Sequence, residues 1–199
     1  MNLERTTTAM LDALHDANNA TMWEAFDRRY RPILIGFARN LGLGEQDAAD
    51  IAQETLARFL AEYRDGRYDR EKGRLGAWLV GIARYRILDL HRRRSGKRQL
   101  AGESAIVDMD DEQHLSKVWE DQRRQAVLQN AMVELKEKSR TDPRTIRIFE
   151  MLMVHGVQAQ TVADEMEITV HDVYLAKSRV AQRLRAIVER IEAEYDDDA

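Results

Sequence analysis

The chain contains no cysteine, only two prolines and ten glycines, and no long apolar run. The absence of cysteine excludes disulfides and thiolate metal sites and favours a reducing cytoplasm. No segment approaches the roughly 20 apolar residues of a membrane-spanning helix, so no membrane partner is expected. Because helix-breaking residues are scarce and Ala, Leu, Glu, Arg and Gln are abundant, the composition predicts an all-α fold. At 199 residues the chain can form one large or two small domains.

Motifs of enzyme and metal chemistry are also missing. The histidines are scattered, there is no zinc or phosphate-loop motif, and no nucleophile–base pair is legible. Carboxylates at helical spacing near residue 50 suggest a metal-binding bundle, but no Glu-x-x-His pair accompanies them. We therefore expect no enzymatic activity, no metal site and no cofactor.

The net charge of −4 hides a segregation of charge along the chain. Residues 84–98 hold seven Arg and Lys against one acid, whereas residues 103–121 hold seven Asp and Glu against one Lys. The chain also ends in an acidic run, Asp196 to Asp198. Separate blocks of opposite sign indicate a local basic patch that the overall charge does not reveal.

The segment from Gly73 to Arg94 combines an apolar stripe with the basic block. The apolar residues recur at helical spacing: Trp78, Leu79, Ile82, Ala83, Ile87 and Leu90. The second half adds the cations Arg84, Arg86, His91, Arg92, Arg93 and Arg94. Such a helix is anchored in a core and holds dense positive charge at its far end. It either binds a polyanion or is a solvated basic face.

The segments before the basic helix predict two further helices. The first spans Trp23–Leu41, and Pro32 inside it predicts a kink or a break. The second spans about Asp47–Tyr63, where early carboxylates suit the helix dipole. A charged loop, Arg64–Arg74, leads to the basic helix. After residue 95 the periodicity dissolves into an acidic linker, although Leu115, Val118 and Trp119 can begin a helix.

The C-terminal part predicts a second set of helices. One spans Gln125–Lys138 and the next begins at Asp142-Pro143, a cap followed by proline at the first helical position, and runs to His155. A short helix over Val157–Met166, a brief turn and a long helix from Val170 have helix-turn-helix spacing, with Thr169 as N-cap.

The long last helix has two contrasting sides. Its apolar stripe comprises Val173, Ala176, Val180, Leu184, Ile187 and Ile191. Its opposite side carries His171, Tyr174, Leu175, Ser178, Arg179 and Gln182, flanked by Lys177 and Arg183. A major groove admits one helix, so these side chains can contact base edges and phosphates. The alternative interpretation is an ordinary amphipathic surface helix.

Three segments together resemble bacterial RNA polymerase sigma factors of the extracytoplasmic-function (ECF) type. Residues 47–59, DAADIAQETLARF, resemble the conserved second-region helix of that family. Residues 68–74 with the basic helix resemble its promoter-melting segment, and residues 162–185 resemble its fourth-region helix-turn-helix. The resemblance implies a region 2-like bundle of three or four helices over residues 1–97 and a flexible acidic linker over 98–122. A region 4-like helix-turn-helix domain would follow over 123–199.

The resemblance implies a transcription initiation factor whose partners are core RNA polymerase and promoter DNA, and it admits an anti-sigma factor. The implied polymerase-binding residues are Asp47, Asp50, Gln53, Glu54 and Arg58. The implied −10 contacts are Tyr68, Arg74, Arg84, Tyr85, Arg86, Arg92 and Arg93. The implied −35 contacts are Thr169, His171, Tyr174, Leu175, Lys177, Ser178, Arg179 and Arg183.

Several of these residues depart from the family's pattern or need a particular setting. Tyr68 falls where an aromatic ring lines the pocket for a flipped base, which requires an exposed ring. Tyr85 stands where the family often has Asn, so the preferred base stays open. Tyr174 and Leu175 replace small polar or basic residues, so the −35 sequence cannot be inferred.

Two alternatives remain open from the sequence. The chain could instead be a dimeric helix-turn-helix regulator that binds palindromic duplex DNA without polymerase. The acidic linker could mimic nucleic acid in the polymerase, shield the cations of residues 92–98, or act as a solvated tether.

Overall fold

A computed structural model describes residues 7–16, 19–69, 73–95, 109 and 111–195. Over these residues the chain is all-α, as its composition predicts, with no strand. In chain order the helices are α1 (Thr7–Leu14), α2 (Ala20–Asn40), α3 (Glu45–Arg64), α4 (Leu75–Ser95), α5 (Glu112–Lys138), α6 (Pro143–Met153), α7 (Ala159–Met166) and α8 (Val170–Tyr195).

The described residues fall into two compact units. Unit 1 comprises those up to Ala126 together with Glu194 and Tyr195, and unit 2 comprises Val127–Ala193. The first half of α5 therefore belongs to unit 1 and its second half to unit 2.

In unit 1, α3 packs against both α2 and α4. Aromatic rings join α2 to α3, with Phe26 and Phe59 stacked at a centroid distance of 5.3 Å. From α4 the fully buried side chains are Leu75, Leu79, Ala83 and Ile87, spaced four residues apart. That spacing buries one stripe of α4 and leaves its cations on the remaining surface.

Helix α2 begins where the Asn19 side chain accepts a hydrogen bond from the Met22 backbone N–H at 3.1 Å. It continues through Pro32 to Asn40, so the predicted break does not occur, and the alternative of a kink stays a prediction. Buried Tyr30, Ile33 and Leu34 flank the proline, and their tertiary packing maintains the helix across a residue that donates no hydrogen bond.

Helix α5 begins at Glu112, inside the stretch predicted as linker. Its first turn is capped by Asp111, whose carboxylate accepts hydrogen bonds from the Gln113 and His114 backbone N–H groups at 2.9 and 3.1 Å. Leu115 and Trp119, one turn apart, are buried in unit 1. Residues 112–122 are therefore helical because one side of this segment is apolar. Of the predicted linker, residues 98–108 and 110 lie outside the described part of the chain.

Unit 2 is built from the second half of α5 and helices α6 to α8. Asp142 caps α6 by accepting from the Arg144 backbone N–H at 2.9 Å, with Pro143 at the first helical position, as predicted. One apolar cluster joins α6, α7 and α8 through Ile148, Val162 and Val173. A second joins α5, α6 and α8 through Leu135, Phe149 and Val180. The predicted inward stripe of α8 thus faces a core.

Candidate functional site

The five residues predicted to bind polymerase lie together on the outward side of α3. Four of them are exposed and one is half-buried: Asp50, Gln53, Glu54 and Arg58 are exposed, and Asp47 is half-buried. The opposite side of the helix, which includes Ile51 and Leu56, is buried. Helical periodicity alone positions this group, because residues three and four apart share a face. The surface presents three carboxylates with an amide among them.

The acidic side of α3 is joined to the basic side of α4 by two ion pairs. The Arg94 guanidinium donates two hydrogen bonds to the Asp47 carboxylate, both at 2.7 Å. Arg86 lies 3.7 Å from the Glu54 carboxylate. We call these two pairs the α3–α4 seam. The hydrogen bonds from Arg94 hold the pKa of the Asp47 carboxyl below its usual value.

This seam is not predicted from the sequence. Asp47 and Glu54 are expected on a polymerase-binding surface and the arginines on a DNA-binding surface, with no contact between the two sets. The partners are 47 and 32 residues apart, so no local spacing signals the pairing. Only the packing of α3 against α4 brings them together.

The other predicted cations of α4 have varied surroundings. Arg93 pairs with Asp89 one turn earlier at 2.6 Å. Arg84 is half-buried and donates from Nε to the backbone carbonyl of Met109 at 2.6 Å. Arg92 is exposed. The predicted −10 cations therefore lie at the surface of one helix, but most already contact other groups of unit 1.

Tyr68 differs from its expected setting, because its side chain is only 9 % exposed. Its ring lies 5.6 Å from Trp78 and 5.8 Å from Phe59, and its hydroxyl donates to the Gly73 carbonyl at 3.3 Å. The expectation of an exposed stacking ring is wrong. Trp78, expected in the core, is half-buried, and its indole N–H donates to Glu62 at 3.2 Å.

An open cleft of about 760 Å³ runs between α3 and α4 next to these rings. It brings together Arg58, Arg74, Tyr85 and Arg86 of the predicted contact residues, with Trp78 in its wall. Tyr85 is 64 % exposed and is thus the accessible aromatic ring on this side of α4. An exposed ring beside guanidinium groups is the arrangement on which an unpaired base can stack.

In unit 2, reciprocal hydrogen bonds fix the start of α8. The Thr169 hydroxyl accepts from the Asp172 backbone N–H at 3.1 Å, and the Asp172 carboxylate accepts from the Thr169 backbone N–H at 3.2 Å and from its hydroxyl at 2.6 Å. These bonds form a capping box, and they keep the pKa of the Asp172 carboxyl below its usual value. Thr169 is the N-cap predicted from the sequence, whereas the part played by Asp172 is not among the predictions, although the Thr-x-x-Asp spacing signals it.

The side of α8 predicted to contact DNA is exposed to solvent. The exposed residues are His171, Tyr174, Leu175, Ser178, Arg179 and Arg183, and Lys177 is half-buried. Arg183 also donates to the Thr141 hydroxyl at 2.9 Å. The turn before α8 contains Glu167 in the left-handed region, at φ 52°. The structure therefore brings His171, Tyr174, Leu175, Ser178 and Arg179 to one exposed side of α8, with Lys177 and Arg183 flanking it and Thr169 at its N-cap.

Comparison with known families identifies the α2–α4 region. Residues 26–97, about a third of the chain, match the family described as Sigma-70 region 2. The match supports a sigma-70 family RNA polymerase sigma factor, a class that acts in promoter recognition with RNA polymerase. Sigma factors are non-enzymatic transcription initiation factors that interact with core polymerase and promoter DNA.

The matched residues contain both the acidic side of α3 and the cationic side of α4. No curated protein matches the chain. Among the described residues, no helix is long and apolar enough to span a membrane, and no cluster of three His, Asp or Glu side chains is arranged to hold a metal ion.

Proposed function

We propose that this chain is a sigma factor of the ECF type. It binds core RNA polymerase through Asp47, Asp50, Gln53, Glu54 and Arg58 and directs it to promoters. The observation that carries the proposal is the region 2 match over α2–α4, which coincides with one acidic and one basic surface on adjacent helices. On this proposal the chain works in the cytoplasm with polymerase, and an anti-sigma factor is a further possible partner.

The region 2 domain contacts the −10 element through Arg74 and the cations of α4. A negative strand is attracted by Arg74, Arg84, Arg86, Arg92 and Arg93, and their salt-dependent contacts position the DNA without reading its sequence. Tyr85 supplies the stacking surface for an unpaired base, in the place of the buried Tyr68. Melting the −10 element is favoured because the opened strand gains these contacts.

Unit 2 reads the −35 element as a helix-turn-helix, with α8 in the major groove. Its exposed residues project from a helix whose opposite side is fixed in a core, so they are held rigidly. Thr169 and His171 lie at the N-terminal end of α8, where backbone N–H groups suit a phosphate. The two DNA-binding parts on this proposal are the region 2 domain and unit 2, Val127–Ala193.

A gel-shift experiment with and without core polymerase tests the proposal. Duplex promoter fragments from a genomic library are incubated with the chain alone, with core alone and with both. We expect sequence-specific complexes and run-off transcripts only when both are present. A stand-alone dimeric regulator would instead shift palindromic duplexes without core, with half-sites about one helical turn apart, and that result would refute the proposal.

A further inference from the structure

Two large apolar side chains of α8 are exposed side by side. Tyr174 is 54 % exposed and Leu175 is 39 % exposed. Their neighbours on both sides, Val173 and Ala176, are buried in the core of unit 2. Packing in the core of unit 2 therefore does not explain why these two residues are apolar. The apolar stripe that α8 contributes to the core lies on its other side.

The pair lies among polar and cationic side chains. Ser178 and Arg179 are exposed on the next turn, four residues beyond Tyr174 and Leu175, and Lys177 is half-buried beside them. The nearest acid of α8, Asp172, accepts hydrogen bonds from Thr169 at the helix start and is a single negative charge beside the two cations Lys177 and Arg179. A small apolar patch surrounded by cations is complementary to a polyanion that carries an apolar group. This combination favours DNA as the partner over an apolar protein surface.

The major groove contains only one apolar group, the C5 methyl group of thymine. An exposed aliphatic side chain on a groove-inserted helix therefore selects thymine, since the other base edges there are hydrogen-bond donors or acceptors. We propose that Leu175, flanked by Tyr174, determines specificity by contacting the methyl group of a thymine in the −35 element. This inference rests on the proposed function of unit 2 and adds the identity of one base.

The geometry of α8 also limits where that thymine lies. Leu175 and Arg179 are one turn apart, so their Cα atoms are about 6 Å apart along the helix axis. Base pairs rise about 3.4 Å each along a strand, so contacts from these residues fall about two base pairs apart. Guanine is the base that an arginine reads best in the major groove. We therefore expect a thymine about two base pairs from an Arg179-contacted guanine or phosphate.

The test replaces thymine by deoxyuracil, which removes only the methyl group. The −35 element is first obtained by selecting a random duplex library with the complete chain bound to core polymerase. Each selected thymine is then replaced singly by deoxyuracil, and the affinity of the holoenzyme is measured. At one position we expect about a threefold to fivefold loss, the size of one buried methyl group.

Two variants assign the contact. Leu175→Ala lowers affinity for the thymine duplex and makes the thymine and deoxyuracil duplexes bind equally. Val154→Ala also truncates an exposed apolar side chain of unit 2, outside α8, and keeps the full preference for thymine. Leu175 is exposed enough that its truncation leaves the fold intact, which the helical content of the variant verifies.

Four results would overturn the inference. Equal binding of thymine and deoxyuracil duplexes by the wild type, at every selected position, refutes it while leaving the proposed function intact. A preference that survives in Leu175→Ala assigns the methyl contact to another residue. Weaker binding of Leu175→Ala to core polymerase, with an unchanged thymine preference, makes the pair a protein-docking surface. Failure to select any upstream element would refute the proposed reading of −35 DNA, and this inference with it.

Discussion

Helices α4 and α8 both carry the predicted DNA contacts of their units, but they present them differently. On α4, Arg86 and Arg94 pair with carboxylates of α3, Arg93 pairs with Asp89, and Arg84 donates to a backbone carbonyl. On α8, the contact residues form an exposed stripe along one side. Unit 2 presents its contact face ready for binding, whereas unit 1 presents cations that are largely engaged.

The difference has a consequence for how the two units bind DNA. The carboxylates of the α3–α4 seam are the same ones proposed to bind polymerase. If cations of the polymerase bind Asp47 and Glu54, these carboxylates can no longer pair with Arg94 and Arg86. The two arginines are then available to bind DNA phosphates. We therefore expect unit 1 to bind DNA more tightly with polymerase bound than alone.

The largest expected change in the free energy of unfolding comes from a substitution on the buried side of α8, compared with one on its exposed side. Val173→Asp places a charge in the core of unit 2, where Val173 is fully buried. We expect it to lower the free energy of unfolding of this unit by about 4 kcal/mol or more. The neighbouring exposed Tyr174→Ala should change it by no more than about 0.5 kcal/mol.

Urea unfolding followed by far-UV circular dichroism measures this effect in both variants. All three tryptophans lie in unit 1 at Trp23, Trp78 and Trp119, so tryptophan fluorescence supplies an internal control. The fluorescence transition should be unchanged in either variant. Equal destabilisation by Val173→Asp and Tyr174→Ala would contradict the assignment of inner and outer sides.

The next effect concerns the part of α5 that belongs to unit 1. Trp119 is 5 % exposed, meets the Phe37 ring at 6.3 Å, and packs so closely on Gly76 that a Cβ there would lie 2.7 Å from its indole nitrogen. Trp119→Ala should destabilise unit 1 by about 3–5 kcal/mol. Exposed Lys117→Ala on the same helix should have little effect. If the two variants unfolded alike, residues 112–122 would behave as a linker after all.

A smaller effect tests the α3–α4 seam. Asp47→Asn removes the partner of Arg94, whereas Asp50→Asn removes the same charge from the same side of α3, where Asp50 accepts a hydrogen bond from Gln46 at 3.4 Å. Without polymerase, Asp47→Asn should bind single-stranded −10 DNA up to about fivefold more tightly than Asp50→Asn, since exposed pairs are weak. Its log–log salt dependence should steepen by about 0.7.

Fluorescence anisotropy with a labelled oligonucleotide measures both quantities. Identical affinities for the two variants would show that the seam does not restrain the cations. If the wild-type chain did not support transcription with core polymerase, that result would instead count against the proposed function. A failure of the seam prediction can therefore be told apart from a failure of the proposed function.

The seam also predicts a pH dependence. The pKa of the Asp47 carboxyl is lowered in the folded chain by the hydrogen bonds from Arg94. The pair is therefore intact above the ordinary carboxyl pKa and is lost as the pH falls through the lowered value. In an NMR titration, Arg94→Ala should raise the pKa of Asp47 towards its ordinary value. An unchanged Asp47 titration would mean that the two side chains do not interact in solution.

The smallest effect concerns the turn before α8. Glu167 adopts the left-handed region, which glycine enters without a steric penalty. Glu167→Gly should therefore raise the free energy of unfolding of unit 2 by about 0.5–1 kcal/mol. The same urea titration measures it, and a destabilised variant would indicate that Glu167 makes contacts that outweigh its backbone strain.

The features that the sequence predicted are those with local causes. The helical period identified the buried sides of α4 and α8, because burial recurs every three to four residues regardless of the partner. The Asp142-Pro143 cap identified the start of α6 within the chain itself. The exposed groups on α3 and α8 followed from the same periodicity.

The features that it missed depend on residues distant in sequence. Tyr68 is buried because Phe59 and Trp78 surround its ring, and no local pattern announces that contact. The Asp47–Arg94 pair joins two helices. Helix α5 begins early because Trp119 packs against Phe37 and Gly76, which lie far earlier in the chain. Tertiary packing decided each of these, and periodicity contains no information about partners.

The proposal that this chain opens promoters together with core polymerase is tested most directly by the permanganate reactivity of −10 thymines. The promoters are those selected by the complete chain with core polymerase. We predict reactive, unpaired thymines only when chain and core are both present, and a loss of reactivity when Arg86 and Arg92 are both changed to Ala. Thymines that open with core alone, or with the doubly substituted chain as readily as with the wild type, would contradict the account.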